Sequence, residues 1–343
     1  MSRVFDAATT ASELVAHYAA QIKGKVILTT GVSPNGVGAT FVLAITKAQP
    51  SLLILAARNP SKAEETARDI EAASPCVKTK IVELHNDSFA SACAAATTVL
   101  SWAEVSAIDV LVNNAGIMAP DYKLSPDKVE SQFATNHLGH FLFTNLIMDK
   151  LLAAEAPRVV NVSSDGHRLS HIRWDDYNFD NGRTYNRWAA YGQSKTANML
   201  FSMSLAEKLG SKGLVSHSLH PGVVSTHLAD HLVEFDSLKD ADRSLGNKEG
   251  WEDFRWKTPD QGAATHVFAA FEPSLKAVIK LRLIIIKDFL NELSLAEIAY
   301  FAANNVQLNM EGRFDGWSVD FLGTLATKVA NFVATEALES MKV

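Results

Sequence analysis

"TTGVSPNGVGAT" (residues 29–40) follows the short apolar run "KVILTT" (25–30) and precedes a helical pattern. It carries Gly31, Gly36 and Gly38 in the spacing G-x-x-x-x-G-x-G, which differs from the dinucleotide fingerprint G-x-G-x-x-G. Glycines let a backbone turn tightly or approach a ligand closely. Taken alone, the stretch fits a phosphate-binding loop and a plain turn between a strand and a helix equally well.

The chain around this loop alternates between short apolar runs and helical patterns. Buried strands are expected at 25–30, 51–58, 77–84, 108–114, 158–164 and 214–220, and helices at 37–48, 60–73, 88–104, 126–153 and 188–211. Continuously apolar strands that alternate with helices are typical of a parallel sheet covered on both faces. The sequence therefore predicts an α/β fold with a Rossmann-type, doubly wound parallel sheet.

The organisation along the chain indicates one domain. Residues 1–275 show no linker or composition break, and we interpret them as a cofactor-binding domain that includes the catalytic site. Residues 276–343 are expected to form an irregular, helical C-terminal extension. No function is evident for 277–298, and the amphipathic tail 320–341 is interpreted as a docked helix.

Composition excludes several classes of function. The chain has 343 residues and a net charge of −6, without a long basic run, so nucleic acid is not an expected partner. Its two cysteines suit a reducing compartment. The most apolar stretch, "IKLRLIIIKDFL" (279–290), is interrupted by charges, so no membrane span is expected. We expect a soluble, cytoplasmic protein.

The position of the glycine loop favours a cofactor over a plain turn. It opens the first helix of the predicted sheet, where free N–H groups and the helix dipole attract a diphosphate. Pro34 has no N–H to donate, whereas the side chains of Ser33 and Asn35 can donate hydrogen bonds. Asparagine tolerates a left-handed backbone, so Asn35 can occupy a position that otherwise needs glycine.

Four further motifs lie at predicted strand ends or on the following helix. "YGQSK" places Tyr191 and Lys195 on one helix face, where an ammonium can lower the pKa of a phenol. "NVSS" supplies Ser163 and Ser164, and "VNNAG" (112–116) and "HPGVVST" (220–226) end two other strands. Each motif is also compatible with a cap, a turn or a surface pair. Their shared location matters, because open α/β sheets bind ligands at the carboxyl ends of their strands.

With these motifs, residues 24–271 resemble the short-chain dehydrogenases/reductases, and "NHLGHFLFT", "RVVNVSSDGHR" and "YGQSKTANMLF" resemble the retinol-dehydrogenase-like branch. The resemblance implies that Tyr191 is the general acid/base, that Lys195 tunes it and binds the nicotinamide ribose, and that Ser164 holds the substrate oxygen. It also implies that Asn136 holds a water that relays protons to Lys195. The implied cofactor-binding residues, besides Tyr191 and Lys195, are Gly31, Ser33, Asn35, Gly36, Val37, Gly38, Arg58, Glu83, Leu84, Asn113, Ala115, Gly116, Pro221, Gly222, Val224 and Thr226.

The sequence departs from the family pattern in three places, the largest of which begins near Ala277. The glycine loop has one residue more than usual between its first two glycines, and Glu83, followed by Leu84, stands where the family usually has Asp. His167 and His171, with nearby acidic residues, are not interpreted as a metal site, and no metal is expected. His137 and His140 are interpreted as packing or interface residues.

The predicted reaction is hydride transfer between NADP(H) and a carbonyl or alcohol. The second strand ends at Arg58 without an acidic residue, and a guanidinium suits the 2′-phosphate of NADP(H). Aromatic residues in the long segment between Ser164 and Tyr191, and apolar residues after Thr226, favour a bulky apolar substrate of the kind found in secondary metabolism, such as a polyketide, terpenoid or retinoid. The alternatives are a nucleotide-binding protein without turnover and an epimerase or dehydratase on the same fold. The sequence leaves a homo-oligomer open.

Overall fold

The computed structural model describes residues 5–232, 236–244 and 255–275, together with the backbone of 283–285. Its centre is a parallel sheet of seven strands in the order β3-β2-β1-β4-β5-β6-β9. The strands are β1 (Val26–Thr30), β2 (Leu52–Ala57), β3 (Lys78–Glu83), β4 (Val110–Asn113), β5 (Arg158–Val162), β6 (Val215–His220), β7 (Val223–Val224), β8 (Trp256–Lys257) and β9 (Leu283–Ile285). Strands β7 and β8 form a separate pair.

Helices cover both faces of the sheet. They are α1 (Ala11–His17), α2 (Ala19–Ile22), α3 (Val37–Thr46), α4 (Pro60–Ala73), α5 (Phe89–Ser101), α6 (Ser131–Phe133), α7 (Gly139–Leu146), α8 (Met148–Leu152), α9 (Arg187–Leu209), α10 (Asp236–Ser244) and α11 (Pro259–Phe271). One apolar core joins α1, α3 and α11 to the sheet, and a second core joins α5, α7 and α9 to its other face. The predicted doubly wound parallel sheet is confirmed.

The ends of the elements follow local chemistry. Helix α4 begins with Pro60, and the Asn59 side chain accepts a hydrogen bond from the Ser61 N–H at 3.0 Å. The buried strands β1 and β2 pair in register from Val26 with Leu52 onward, so their carboxyl ends lie side by side. All six strands expected from the sequence are present, with ends that differ by at most two residues.

The predicted continuous helix over 126–153 is wrong. Helix α6 begins only at Ser131, where the buried Glu130 carboxylate accepts hydrogen bonds from the N–H groups of Gln132 and Phe133, both at 2.8 Å. A π-helical turn over Ala134–Leu138 follows before α7, and α8 is a separate short helix. At Gly139 the helix passes so close to the Asn86 backbone that a side chain would collide with it. A local cap at Glu130 and a contact with the distant Asn86 thus mark the places where the helical pattern is interrupted.

Strand β9 was not expected from the sequence. It lies within the residues assigned to a helical extension, and it pairs in parallel with β6 from Ser218–Leu283 to His220–Ile285. Two of its three residues, Ile284 and Ile285, are β-branched, a residue type that is common in strands. The predicted boundary at residue 275 stays a prediction, and the predicted tail helix over 320–341 lies outside the described residues.

Candidate active site

Helix α9 carries the two residues that the sequence singled out as an acid/base pair. Tyr191 and Lys195 are 6% and 5% exposed, and the Lys195 Nζ atom lies 5.5 Å from the centre of the Tyr191 ring. The same ammonium donates a hydrogen bond to the Val162 carbonyl at the end of β5, at 3.1 Å. The helix thus presents a phenol and an ammonium together at the carboxyl edge of the sheet.

Burial changes the acidity of both groups. Burial raises the pKa of Tyr191 to about 12, and a hydrogen bond with the Ser164 side chain acts in the opposite direction. Burial lowers the pKa of Lys195 to about 8, because a charged ammonium loses its hydration there. Without a further charge in the site, the phenol therefore keeps its proton, and the ammonium loses its own more readily than an exposed lysine does.

The structure distinguishes between the two adjacent serines. Ser163 is buried, and its hydroxyl donates to the Lys195 carbonyl at 2.8 Å, which fixes β5 against α9. The Ser164 hydroxyl instead makes the hydrogen bond with Tyr191 and accepts one from the Gly166 N–H at 3.0 Å. Only Ser164 is thus placed beside the phenol.

Asn136 lies in the π-helical turn beside this pair. Its side-chain oxygen accepts from the Ile117 N–H at 2.8 Å, and its Nδ2 donates to the Ile117 carbonyl and the Ser194 hydroxyl, both at 2.9 Å. The Asn136 side chain is therefore fully engaged within the protein. Its predicted role stays a prediction.

The glycine loop has the backbone that a bound diphosphate requires. Gly31 and Asn35 have φ values of 73° and 63°, so Asn35 does occupy the left-handed, glycine-like position predicted for it. Gly36 caps α3 without a side-chain hydrogen bond to the first N–H groups, and the first turn of α3 contains no acidic residue. These free donors and the helix dipole suit a diphosphate, so the loop fits a nicotinamide dinucleotide.

The end of β4 closes against this loop. A Cβ atom on Gly31 would lie 2.6 Å from the Ala115 Cα, so the two backbones are in direct contact. A Cβ atom on Gly116 would lie 3.1 Å from the Asn136 oxygen and 3.6 Å from the Lys195 Nζ. A side chain at Gly116 would therefore intrude on the space beside the acid/base pair.

Two asparagines at this strand end serve the scaffold. The buried Asn113 side chain donates to Thr144 and Asn161, at 2.9 and 2.8 Å. Its amide group is thus engaged within the protein, and its predicted contact with the cofactor stays a prediction. Asn114, which the sequence analysis did not select, donates to the carbonyls of Thr30 and Gly31 at 2.9 and 3.0 Å. Its place in the polar run "VNNAG" is the signal that could have identified it.

Three further residues that were predicted to bind the cofactor, Arg58, Glu83 and Leu84, lie at the ends of β2 and β3. Arg58 is exposed directly after β2. Glu83 ends β3 and bonds to His85 at 2.8 Å, whereas the Leu84 side chain is buried. Strands β2 and β3 pair as far as Ala57 and Glu83, so both strand ends lie on the same edge of the sheet as the glycine loop.

The segment after β6 faces the glycine loop across a cavity of about 370 Å³. Asn35 and Thr226, both predicted to bind the cofactor, contribute to its walls. Gly222 has a φ of 89°, which lets the chain turn after Pro221, and Val224 packs tightly against Gly262 of α11. The cavity runs along the outer side of α3, and Tyr191 and Lys195 do not line it.

The aromatic residues predicted near the substrate divide into two groups. Trp174 and Tyr177 pack on the second core, Phe179 is buried, and the Tyr185 hydroxyl donates to the Pro120 carbonyl at 3.0 Å. Trp188, one turn before Tyr191, belongs to a separate apolar cluster with Ala119, Leu169 and Leu238. Beyond Thr226, Leu232 packs on this cluster and Leu228 is exposed, whereas Val233, Phe235, Trp251 and Phe254 lie outside the described residues.

Three of the histidines considered in the sequence analysis, His137, His140 and His167, have side-chain hydrogen bonds within the protein. His167 bonds to the Ser164 carbonyl at 2.8 Å. Across the described residues, no group of three or more His, Cys, Asp or Glu side chains is arranged to hold a metal ion. His137 and His140 are buried, as the packing interpretation predicted.

The chain is similar in sequence and in fold to several known proteins. The sequence model of the family described as short chain dehydrogenase matches residues 25–178. The chain is 38% identical to human retinol dehydrogenase 13 over 62% of each chain, so it spans about three fifths of that relative's length. It is 36% identical to the Brassica napus short-chain dehydrogenase TIC 32 B, chloroplastic, over 74% of this chain and 77% of the relative. The Pseudomonas aeruginosa RhlG/NADP active-site complex has the same fold, with a TM-score of 0.54 and 21% identity over 74% of this chain and 92% of that chain.

Proposed function

We propose that this chain, which belongs to the retinol-dehydrogenase-like branch of the short-chain dehydrogenases/reductases, is an NADPH-dependent reductase of bulky, apolar ketones or aldehydes. Members of this family are oxidoreductases that act on alcohols and carbonyls with nicotinamide cofactors. The observation that carries the proposal is the placement of Tyr191 against Lys195 and Ser164. These three side chains meet at a strand edge where the glycine loop fits a dinucleotide.

The roles of the three side chains follow from their chemistry. The cofactor, when bound, supplies the hydride. The Ser164 hydroxyl orients the substrate carbonyl, and Tyr191 donates its phenolic proton to the carbonyl oxygen as negative charge develops there. The Lys195 ammonium stabilises the phenolate that remains, because it lies against the Tyr191 ring in a site that excludes water. In the direction of alcohol oxidation, the same phenolate accepts the proton.

The preference for NADPH over NADH rests on Arg58. It is exposed at the end of β2, and the next acidic residue is Glu64, in α4. A guanidinium binds a phosphate through two parallel hydrogen bonds, whereas an NAD-specific site uses an acidic residue to bind the ribose 2′-hydroxyl. Gly31, whose N–H donates to the Ala56 carbonyl at 2.8 Å, ties the glycine loop to this strand end.

The preference for an apolar substrate rests on the cluster around Trp188. Gly166 touches the Tyr191 ring, and Leu169, in the same short 3-10 helix, packs with Trp188 and with Leu238 of α10. The indole N–H of Trp188 donates to the Ser237 hydroxyl at 2.9 Å, which holds α10 against this cluster. A buried apolar cluster next to the phenol supports a bulky hydrophobic substrate rather than a small polar one.

The substrate class is tested by comparing kcat/KM under NADPH for long-chain or polycyclic carbonyls and for small polar carbonyls. The proposal expects higher values for the first set. Higher values for the small polar set would overturn the substrate class without affecting the assignment of Tyr191.

The proposed setting is the cytosol. Cys76 and Cys93 are both free thiols, which supports a reducing compartment. Among the parts of the chain that the structure describes, no helix is long and apolar enough to cross a membrane.

A further inference from the structure

A histidine with no part in the proposed proton transfer forms a buried junction beneath the site. His140, in the first turn of α7, is 2% exposed. Its Nδ1 atom lies 3.2 Å from the Asn136 carbonyl oxygen. Its Nε2 atom lies 2.8 Å from the Thr30 hydroxyl and 3.1 Å from the Asn86 Nδ2. The ring therefore contacts the preceding turn of its own helical segment and two segments that are distant in sequence.

The partners of the ring determine where its proton lies. A backbone carbonyl can only accept a hydrogen bond, so Nδ1 must carry the hydrogen that points to Asn136. The Thr30 hydroxyl already accepts from the N–H groups of Asn114 and Ala115, both at 2.9 Å, and its own proton remains to be donated to Nε2. The contacts thus specify a neutral ring with its proton on Nδ1. Burial lowers the pKa of His140 to about 3, which keeps the ring neutral at ordinary pH.

The segments joined by this ring are those that carry the candidate site. Thr30 directly precedes Gly31 of the glycine loop, and its hydroxyl holds the β4 end next to Gly116. Asn136 lies in the π-helical turn, and its side chain reaches Ile117 on the other side of Gly116. The imidazole therefore connects the Asn136 turn with the glycine loop and, through the Thr30 hydroxyl, with the end of β4.

We propose that His140 is a positioning residue that, as the Nδ1–H tautomer, holds the Asn136 carbonyl, the glycine loop and the β4 end in the arrangement that receives the nicotinamide cofactor. The inference rests on the proposed function, because it assigns His140 to the binding of that cofactor. His140 takes no part in the chemical step. Its loss weakens cofactor binding and turnover together.

His137 provides a matched control. It lies three residues earlier, is also buried, and burial lowers its pKa to about 4, but its hydrogen-bond partner is the Asn198 side chain on α9, at 3.2 Å. His137→Leu and His140→Leu each remove one buried, neutral imidazole. A merely structural role predicts similar effects of the two substitutions on NADPH binding, whereas a positioning role predicts that only His140→Leu weakens it.

The test combines NADPH titration, thermal unfolding and turnover for the wild type and both variants. We expect His140→Leu to weaken NADPH binding and lower kcat by about tenfold or more, since it leaves buried polar partners unsatisfied, while His137→Leu binds NADPH within about twofold of wild type. If His140→Leu does not fold, the variants His140→Asn and His140→Gln are compared instead. The asparagine amide N–H can reach the Asn136 carbonyl, whereas the glutamine amide lies nearer the position of Nε2. The affinity for NADPH should therefore be closer to wild type in His140→Asn than in His140→Gln. Equal NADPH affinity in the two leucine variants, or in the Asn and Gln variants, would overturn the inference.

A second readout does not depend on activity. Nitrogen-15 NMR of the histidine side chains, without added cofactor, should show His140 neutral with its proton on Nδ1 from pH 6 to 8. A proton on Nε2, or a charged ring, would contradict the assignment. If the wild type itself does not bind NADPH, the proposed function fails, and the NMR result still decides the tautomer.

Discussion

Lys195 lies one helical turn after Tyr191 on α9, with its Nζ atom 5.5 Å from the centre of the phenol ring, and both side chains are almost fully enclosed. The geometry places a cation where a phenolate would form. The same enclosure makes the ammonium costly to bury, as its lowered pKa indicates. Function and stability therefore make opposite demands on Lys195.

This conflict predicts that Lys195→Met stabilises the cofactor-free protein while it abolishes turnover. The pKa of Lys195 falls from 10.5 to about 8 on folding, so below pH 8 the folded protein carries a penalty that is relieved as pH rises toward 10.5. Removing the charge should raise the free energy of unfolding by about 1–3 kcal/mol at pH 7, since each pKa unit corresponds to about 1.4 kcal/mol. Urea unfolding of wild type and Lys195→Met at pH 7 and pH 10 measures this difference in the free energy of unfolding. A variant less stable than wild type at pH 7 would contradict this account of Lys195.

Because some of its histidines are buried and neutral, the folded protein should lose stability in acid. Burial lowers the pKa values of His137 and His266 to about 4, against 6.5 for an unfolded chain. Between pH 6.5 and 4 the unfolded state binds protons that the folded state does not, so stability is lost as pH falls through this window. Each histidine should contribute a slope of up to about 1.4 kcal/mol per pH unit.

The contribution of one histidine is isolated by difference, because the buried Glu130, whose pKa burial raises, acts in the opposite direction. Between pH 5 and 6, His137→Leu should lower the slope of the unfolding free energy against pH by the contribution of one bound proton, about 1.4 kcal/mol per pH unit. Identical slopes for this variant and wild type would show that His137 is charged in the folded protein.

Much of this site could be predicted from sequence because its signals are local. Apolar runs marked the six strands, and the i, i+4 spacing alone put Tyr191 and Lys195 on one helix face. The π-helical turn could not be predicted, because it lies beside the close approach of Gly139 to Asn86, a contact between residues distant in sequence. The junction at His140 was missed for the same reason. Its partners Thr30 and Asn86 lie 110 and 54 residues away.

Cofactor preference depends on Arg58. We expect Arg58→Ala to weaken NADPH binding by about tenfold or more and to leave NADH binding nearly unchanged, because only NADPH loses a charge-assisted hydrogen bond. Lys62→Ala is the control: Lys62 is a cation near the start of α4, but it pairs with Glu65 at 2.9 Å. Fluorescence titration with both cofactors measures the difference. Equal losses for NADPH and NADH would exclude a contact with the 2′-phosphate.

The glycine loop is tested by Gly36→Val. A Cβ atom at this position meets only the Ser33 carbonyl, at 3.1 Å, so the fold should tolerate the substitution with a small adjustment. The added side chain would stand at the N-terminus of α3, where the diphosphate is expected, and should abolish NADPH binding. Gly36→Ala should give an intermediate loss. Unchanged NADPH affinity in the valine variant, with an unchanged melting temperature, would show that the loop is a plain turn and does not bind the diphosphate.

The central claim, hydride transfer with Tyr191 as the acid, is tested most directly by following an isotope. Wild type and Tyr191→Phe are each incubated with a bulky apolar ketone and NADPH carrying deuterium at C4, using both C4-labelled forms, and the product alcohol is examined by mass spectrometry. With one of the two labelled forms, wild type should give an alcohol that is one mass unit heavier. Tyr191→Phe should bind NADPH normally but form that alcohol about 10²–10⁴-fold more slowly, because this is the usual contribution of a general acid. Alcohol without deuterium from both labelled forms, or a phenylalanine variant as fast as wild type, would contradict the account.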